Sequence, residues 1–211
     1  LAGFGGLSSL FYALNALPLT IATLLNWCAP LFTVIFSMLF LKERYSRRSL
    51  LWMGLSFVGL ILVLQLDLSG QFKGLPMLPV LVGILGAAFG GVAYVAVRAA
   101  TARVGVNVVV SYFVGISAIL SLPGAIAVWQ TPSALQWGLL VAMGACATLG
   151  QISMIQAYRY AQAGVVSTMN LLSIVFSAVW GGVFLGDRLS LEQWVGVAVL
   201  LVSLALLARN K

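Results

Sequence analysis

The stretch Asn26–Ser46 reads NWCAPLFTVIFSMLFLKERYS, and a second stretch, Asn170–Ser190, reads NLLSIVFSAVWGGVFLGDRLS. Six residues are identical between the two without a gap, at an offset of 144 positions, and Glu43 recurs as Asp187. Similarity at a fixed period indicates duplicated structural units. The chain is therefore predicted to contain two copies of one unit.

The composition indicates an integral membrane protein. The 211 residues are 62% hydrophobic and 7% charged, and their mean hydropathy is +1.11. A soluble domain carries about a quarter charged residues, so this surface is expected to face the lipid bilayer. At about 20 apolar residues per membrane-crossing helix, the chain has room for about eight helices. The predicted spans are approximately 1–17, 19–41, 50–66, 76–98, 107–129, 135–158, 164–185 and 191–208.

Basic residues predict the orientation of these spans. Eight spans place both ends on one side, and that side would hold nine of the eleven Lys and Arg residues, leaving Lys73 and Arg188 opposite. Cytoplasmic loops are enriched in Lys and Arg, so both ends are predicted to be cytoplasmic, in a bacterial inner membrane. The +7 net charge is interpreted as a topology signal, and no nucleic-acid partner is expected. The basic run 42–48 is interpreted as a topology anchor, with anionic lipid binding as the alternative.

The two copies are expected to lie in the membrane in opposite directions. Five spans separate Asn26 from Asn170, and an odd number inverts the second copy, as in inverted-topology repeats. The repeat unit then contains five helices. Residues 1–66 supply the last three helices of the first repeat, 67–75 an external loop, and 76–211 the complete second repeat. The sequence thus predicts an all-α ten-helix fold of which two helices, roughly 70–80 residues, precede Leu1; a natural eight-span form is the alternative.

Several short motifs carry a family resemblance. They are YRYAQAGVVS at 158–167, FLGDRLS at 184–190 and EQWVG at 192–196 in the second copy, and APLFT at 29–33 and FLKER at 40–44 in the first. In this order and doubling they resemble the EamA-type drug/metabolite transporters. The resemblance implies ten helices in two inverted halves, which move small metabolites, amino acids or drugs mainly outward.

The chain departs from this family at one place. The family often has an acidic residue or a proline near the middle of its ninth helix, where this sequence has Ser173 and Ile174. Neither a kink nor an ion-responsive carboxylate is therefore expected at that point.

Polar side chains within the spans are the candidate functional groups. Asn26 and Asn170 are each roughly 10 Å from opposite surfaces of a core about 30 Å thick, so they are expected to flank the midplane as two gates. Ser, Thr and Gly residues on the same helix faces as these amides are interpreted as packing residues. The alternative role of the two amides is hydrogen bonding between helices. The predicted substrate-contacting residues are Tyr12, Asn26, Trp27, Tyr94, Gln151 and Asn170.

Other function classes lack their usual residues. The sequence has no His, and its four acidic residues are all predicted in or beside loops. A proton relay, a metal site and acid–base catalysis all need such groups, so no enzyme activity, cofactor or metal is expected, and facilitated diffusion is the simplest mechanism. A small-molecule substrate is expected, and a scaffold or receptor that transports nothing is the alternative. The sequence carries no signal for an oligomeric state.

The inverted arrangement predicts that the two matching loops lie on opposite sides of the membrane. Ser46→Cys and Ser190→Cys would be made singly in a background in which Cys28 and Cys146 are replaced by Ala. On intact cells, an impermeant maleimide should label Cys at position 190 and should reach position 46 only after permeabilisation. Labelling of both positions from the same side would contradict the inverted repeat.

Overall fold

The computed structural model describes residues 2–65, 74–186 and 188–209, and these residues form helices joined by short turns. The helices are α1 Ala2–Ala16, α2 Leu19–Trp27, α3 Ala29–Phe40, α4 Arg47–Val63, α5 Met77–Thr101, α6 Val106–Ala127, α7 Ala134–Tyr160, α8 Ala163–Met169, α9 Leu172–Trp180 and α10 Leu191–Arg209. A π-helical turn, Gly181–Leu185, continues α9. The predicted all-α class is confirmed.

Within the described residues, six helical stretches are long and apolar enough to cross a membrane. They are Leu19–Phe40, Met77–Thr101, Val106–Ala127, Ala134–Tyr160, Ala163–Phe184 and Leu191–Arg209. The predicted first and third spans correspond to α1 and α4, which have 15 and 17 residues. At 1.5 Å per residue these two helices are somewhat shorter than a core of about 30 Å. The predicted count of eight spans therefore rests on the sequence.

Two of the spans are broken near their middle. Between α2 and α3, the N–H of Cys28 donates to the carbonyl of Leu25 at 3.1 Å, a bond three residues back instead of four. Between α8 and α9, the N–H of Leu171 donates to the carbonyl of Thr168 at 3.0 Å in the same manner. Such tightening interrupts the α-helical ladder. The straight helix expected near Ser173 is therefore not observed, because the backbone breaks at Asn170 and Leu171 without a proline.

Helices α4 and α10 pack closely and run antiparallel. Gly59 lies against Leu200 and Gly196 lies against Val63. The amide of Gln65 donates to Ser190 Oγ at 2.7 Å, so residue numbers rise along α4 as they fall along α10. A Cβ built on Gly196 would lie 2.8 Å from the backbone N of Val63. Small residues at this crossing let the two backbones approach, as is common between transmembrane helices.

The loops that follow the two broken spans share a backbone conformation. Lys42 has a φ of 54°, and Gly186, its equivalent at the repeat offset, has a φ of 72°. Both lie in the left-handed region, which costs a residue with a Cβ about 1–2 kcal/mol. The two copies therefore end their broken spans with the same turn, although only the second uses glycine for it.

The chain divides into two compact units, Leu1–Val95 with Gln162–Lys211, and Ala96–Ala161. In the second unit, α6 and α7 pack against each other. The Arg98 guanidinium there donates to the carbonyl oxygens of Tyr158 at 2.9 Å and Arg159 at 2.8 Å. A cation at this position satisfies carbonyl groups at the C-terminal end of α7.

The close crossing of α4 and α10 predicts opposite effects for two glycines of α4. Gly59→Ala would place its Cβ 2.9 Å from the backbone N of Leu200 and 3.0 Å from the Gly196 carbonyl, contacts that a side-chain rotation cannot relieve. We expect it to destabilise the protein by about 1–3 kcal/mol. Gly54→Ala is the matched control, because no atom lies within 4 Å of its Cβ and alanine favours a helix. Thermal unfolding in detergent measures both, and equal midpoints would contradict the crossing.

Candidate functional site

Asn170 occupies the break of the seventh span. It follows α8 directly, and its side chain is hydrogen-bonded to the hydroxyl of Tyr94 on α5. Its carbonyl accepts from both the N–H of Ser173 at 3.0 Å and the hydroxyl of Ser173 at 2.7 Å. Two of the predicted site residues, Tyr94 and Asn170, are thus brought together where the helix is interrupted. The bond ties the broken span to α5.

Asn26 lines a different part of the first unit. It borders a narrow crevice between α1, α2 and α5 that is too tight for water. Small residues form most of its walls, and the lining residues are Gly6, Leu10, Ala13, Ala22, Asn26, Gly83, Gly86 and Ala87. A Cβ on Gly86 would lie 2.7 Å from Ser9 Cβ. The glycines here serve close helix packing, and Asn26 borders a seam with no room for water.

The other predicted site residues have separate surroundings. Trp27 packs against the hydrophobic core cluster that includes Leu171, the residue after Asn170. Tyr12 is exposed on α1, and Gln151 is half-buried on α7 in the second unit. Among the residues predicted from the sequence, Tyr94 and Asn170 are joined by a hydrogen bond within the first unit.

Several Ser and Thr hydroxyl groups donate to carbonyl groups of their own helices. Thr33 Oγ1 donates to the carbonyl of Ala29 at 2.8 Å, and Thr168 Oγ1 donates to that of Gly164 at 2.7 Å. Ser56 on α4 does the same toward Trp52 at 2.8 Å. Bonding to the preceding turn satisfies a Ser or Thr hydroxyl within the helix. These contacts favour the packing role that the sequence suggested for Ser and Thr.

A further polar network joins the loop after α3 to the start of α8. Glu43 Oε2 accepts from the Tyr45 hydroxyl at 2.7 Å and from the backbone N–H of Ala163 at 2.9 Å. The Tyr45 oxygen accepts from the N–H of Gly164 at 2.8 Å and lies 2.7 Å from Ser37 Oγ. Burial raises the pKa of the Tyr45 hydroxyl, so it stays protonated and donates to Glu43.

Sequence reasoning placed Glu43 in a loop and gave it no role. The structure uses its carboxylate to satisfy a free N–H group of α8, whose own N-cap residue, Gln162, makes no side-chain cap bond. The first N–H groups of a helix need outside acceptors and favour a negative charge. Two features of the sequence could have indicated this role. Glu43 recurs as Asp187, and the start of α8 lacks a Ser, Thr, Asp or Asn cap. Asp187 itself lies outside the described residues.

The chain is similar to known membrane transporters. The EamA-like transporter family matches residues 1–65 and 77–209. The chain is 30% identical over 203 residues to the pseudopaline exporter of Pseudomonas aeruginosa, covering 95% of this chain and 70% of the relative. It is 32% identical over 216 residues to an uncharacterized transporter of Helicobacter pylori, covering 97% and 70%. It is 26% identical over 176 residues to the S-adenosylmethionine uptake transporter of Rickettsia felis, covering 83% and 58%.

A solved crystal structure has the same fold. It superposes with a TM-score of 0.83 at 23% identity, over 98% of this chain and 76% of that chain. The family match extends over both stretches that carry the matching motifs and over nearly all described helices. The chain therefore belongs to the EamA-like transporter family.

Proposed function

We propose that this membrane transporter moves small organic metabolites, such as amino acids or drugs, by alternating access, and that it acts as an exporter or facilitator. The family and its named transporters support movement of small metabolites. One relative is named an exporter and another an uptake transporter, so the outward direction is taken from the exporter, to which more of the chain aligns. The observation that carries the mechanism is the Asn170 to Tyr94 bond at a broken span.

The proposed architecture is eight spans of a ten-helix fold with two inverted five-helix repeats. Residues 1–66 belong to the first repeat, 67–75 to the loop between repeats, and 76–211 to the second. The antiparallel packing of α4 against α10 supports the inversion, because these helices follow the two matching loops. The shared left-handed turn at Lys42 and Gly186 supports the repeat alignment. The charge bias supports a cytoplasmic position for both ends, and the protein is proposed to lie in the bacterial inner membrane.

In this mechanism the two amides act at opposite gates. Asn26 lies in the closed seam between α1, α2 and α5, which is the proposed outer gate. Asn170 lies at the break between α8 and α9, which is the proposed inner gate. A break lets the two half-helices tilt separately, since few main-chain bonds join them. When α8 tilts, the Asn170 amide exchanges the Tyr94 hydroxyl for a polar group of the substrate.

Substrate chemistry follows from the groups at this site. Amide and hydroxyl groups both donate and accept hydrogen bonds without carrying charge. They suit a neutral or zwitterionic solute, because binding such a solute does not bury a net charge in the membrane interior. Tyr12, Trp27, Tyr94 and Gln151 are proposed to line the path between the gates, each as a polar or aromatic contact.

Replacement of either amide is expected to reduce the transport rate more than it reduces the stability of the protein. Asn170→Leu and Asn26→Leu should each lower the initial transport rate by about tenfold or more, which corresponds to about 1.4 kcal/mol in the barrier. The thermal midpoint should move little, because interhelical polar bonds in membranes average about 0.6 kcal/mol. The measurement is uptake of a panel of labelled amino acids by proteoliposomes, together with thermal unfolding of each variant.

Tyr94→Phe is the control that separates binding from structure. It removes the same hydrogen bond to Asn170 while leaving the amide available to a substrate. If Asn170 contacts the substrate, Tyr94→Phe should retain more transport than Asn170→Leu. Equal losses in both variants, or losses matched by lower thermal midpoints, would contradict a substrate role. Absence of transport by the unchanged protein across a wide solute panel would favour a scaffold or receptor.

A further inference from the structure

We propose that Glu43 and Tyr45 form a latch that holds the inner end of the transporter closed, and that the latch must open in each transport cycle. The inference rests on the proposed alternating access and on the proposed cytoplasmic position of the loop. It assigns a role to two residues that lie outside the substrate path. The latch consists of Glu43, Tyr45 and the backbone N–H groups of Ala163 and Gly164.

The latch joins segments that are far apart in the chain. Glu43 and Tyr45 belong to the turn between α3 and α4, whereas Ala163 and Gly164 begin α8, about 120 residues later. The Gln162 side chain adds a bond to the carbonyl of Arg44 at 2.9 Å. In the proposed repeat assignment these bonds connect the first repeat to the second. A connection between repeats at one membrane surface is where a gate has to part.

Helix α8 is held at both of its ends by polar bonds. Its first two backbone N–H groups donate to Glu43 and Tyr45, and Asn170, the residue after its last turn, is hydrogen-bonded to Tyr94. Between these ties it has only seven residues. Its N-terminal end also packs tightly, because a Cβ on Gly164 would lie 2.6 Å from Val34 Cγ2. Release of the latch frees this short helix to tilt about the break at Asn170.

The equivalent positions of the second copy lack the hydroxyl of Tyr45 and the hydroxyl of Ser37 that lies beside it. At the repeat offset, Tyr45 corresponds to Leu189 and Ser37 corresponds to Gly181. The acid alone is kept, as Asp187. The outer end therefore cannot form the bonds that Tyr45 makes to Glu43, Ser37 and Gly164 at the inner end. This difference predicts a resting state that is closed on the inside.

Alkylation of a buried thiol tests the latch without a substrate. In the background lacking Cys28 and Cys146, Ser167→Cys places a thiol on α8, where the native side chain is fully buried. Tyr45→Phe and Glu43→Gln should each raise the rate of its reaction with N-ethylmaleimide by about tenfold, since reactivity at a buried site follows the open fraction. Tyr112→Phe is the matched control, because it removes one hydroxyl from an exposed tyrosine of α6.

A second buried thiol distinguishes opening from loss of folding. Ser203→Cys lies on α10, and the native side chain is likewise fully buried. A faster reaction at position 167 with an unchanged reaction at position 203 supports the latch. An unchanged reaction at 167, or an equal rise at both positions, overturns it.

A reversible crosslink tests whether the latch opens during transport. Arg44→Cys with Gln162→Cys, joined by a bifunctional methanethiosulfonate, should abolish amino-acid transport in proteoliposomes, and reduction should restore it. Transport at the unmodified rate by the crosslinked protein overturns the requirement for opening. Failure of the proposed function is distinct, because the unchanged protein would then transport nothing while the alkylation rates would still report on the latch.

Discussion

The structure depends on one constraint, which is that each backbone N–H and C=O group inside a bilayer must find its partner within the protein. An unbroken helix meets this requirement by itself, but a span that breaks in the middle does not. At the second break the chain uses bonds to the residue three positions back and a serine hydroxyl to satisfy Asn170. At the start of α8 it uses Glu43 and Tyr45. Polar side chains therefore lie where backbone N–H and C=O groups have no partner within their own helix.

The same constraint separates rigid contacts from contacts that can change. Lipid offers no hydrophobic drive between helices, so close packing of small residues is what holds them together. The α4 and α10 crossing at Gly59 and Gly196 is of this kind, with main-chain atoms in near contact. The bonds that hold α8 at its two ends are instead a few polar contacts. A fixed helix pair beside a short tethered helix is the arrangement that a gate needs.

The sequence predicted the helical class and the apolar character of the long helices that the structure describes, because these depend on composition and period. It also named Tyr94 and Asn170, which the structure brings together. It did not predict the break at Asn170, since no proline or glycine marks it and the interruption depends on tertiary contacts. It missed the Glu43 and Tyr45 network for a related reason. Pairing between residues about 120 positions apart is set by the packing of helices, which leaves no local pattern.

The difference between the two copies bears on how the transporter can work. In the proposed arrangement of two inverted repeats, identical halves would give states closed on the inside and closed on the outside with equal free energy. The difference between Tyr45 and its sequence equivalent, Leu189, removes that equality. A latch at one end lowers the free energy of the state closed at that end, so the substrate must bind more strongly to the open state to shift the population. The latch affects the resting state and the rate in this way. It cannot set the net direction of a facilitator, because the direction follows the substrate gradient across the membrane.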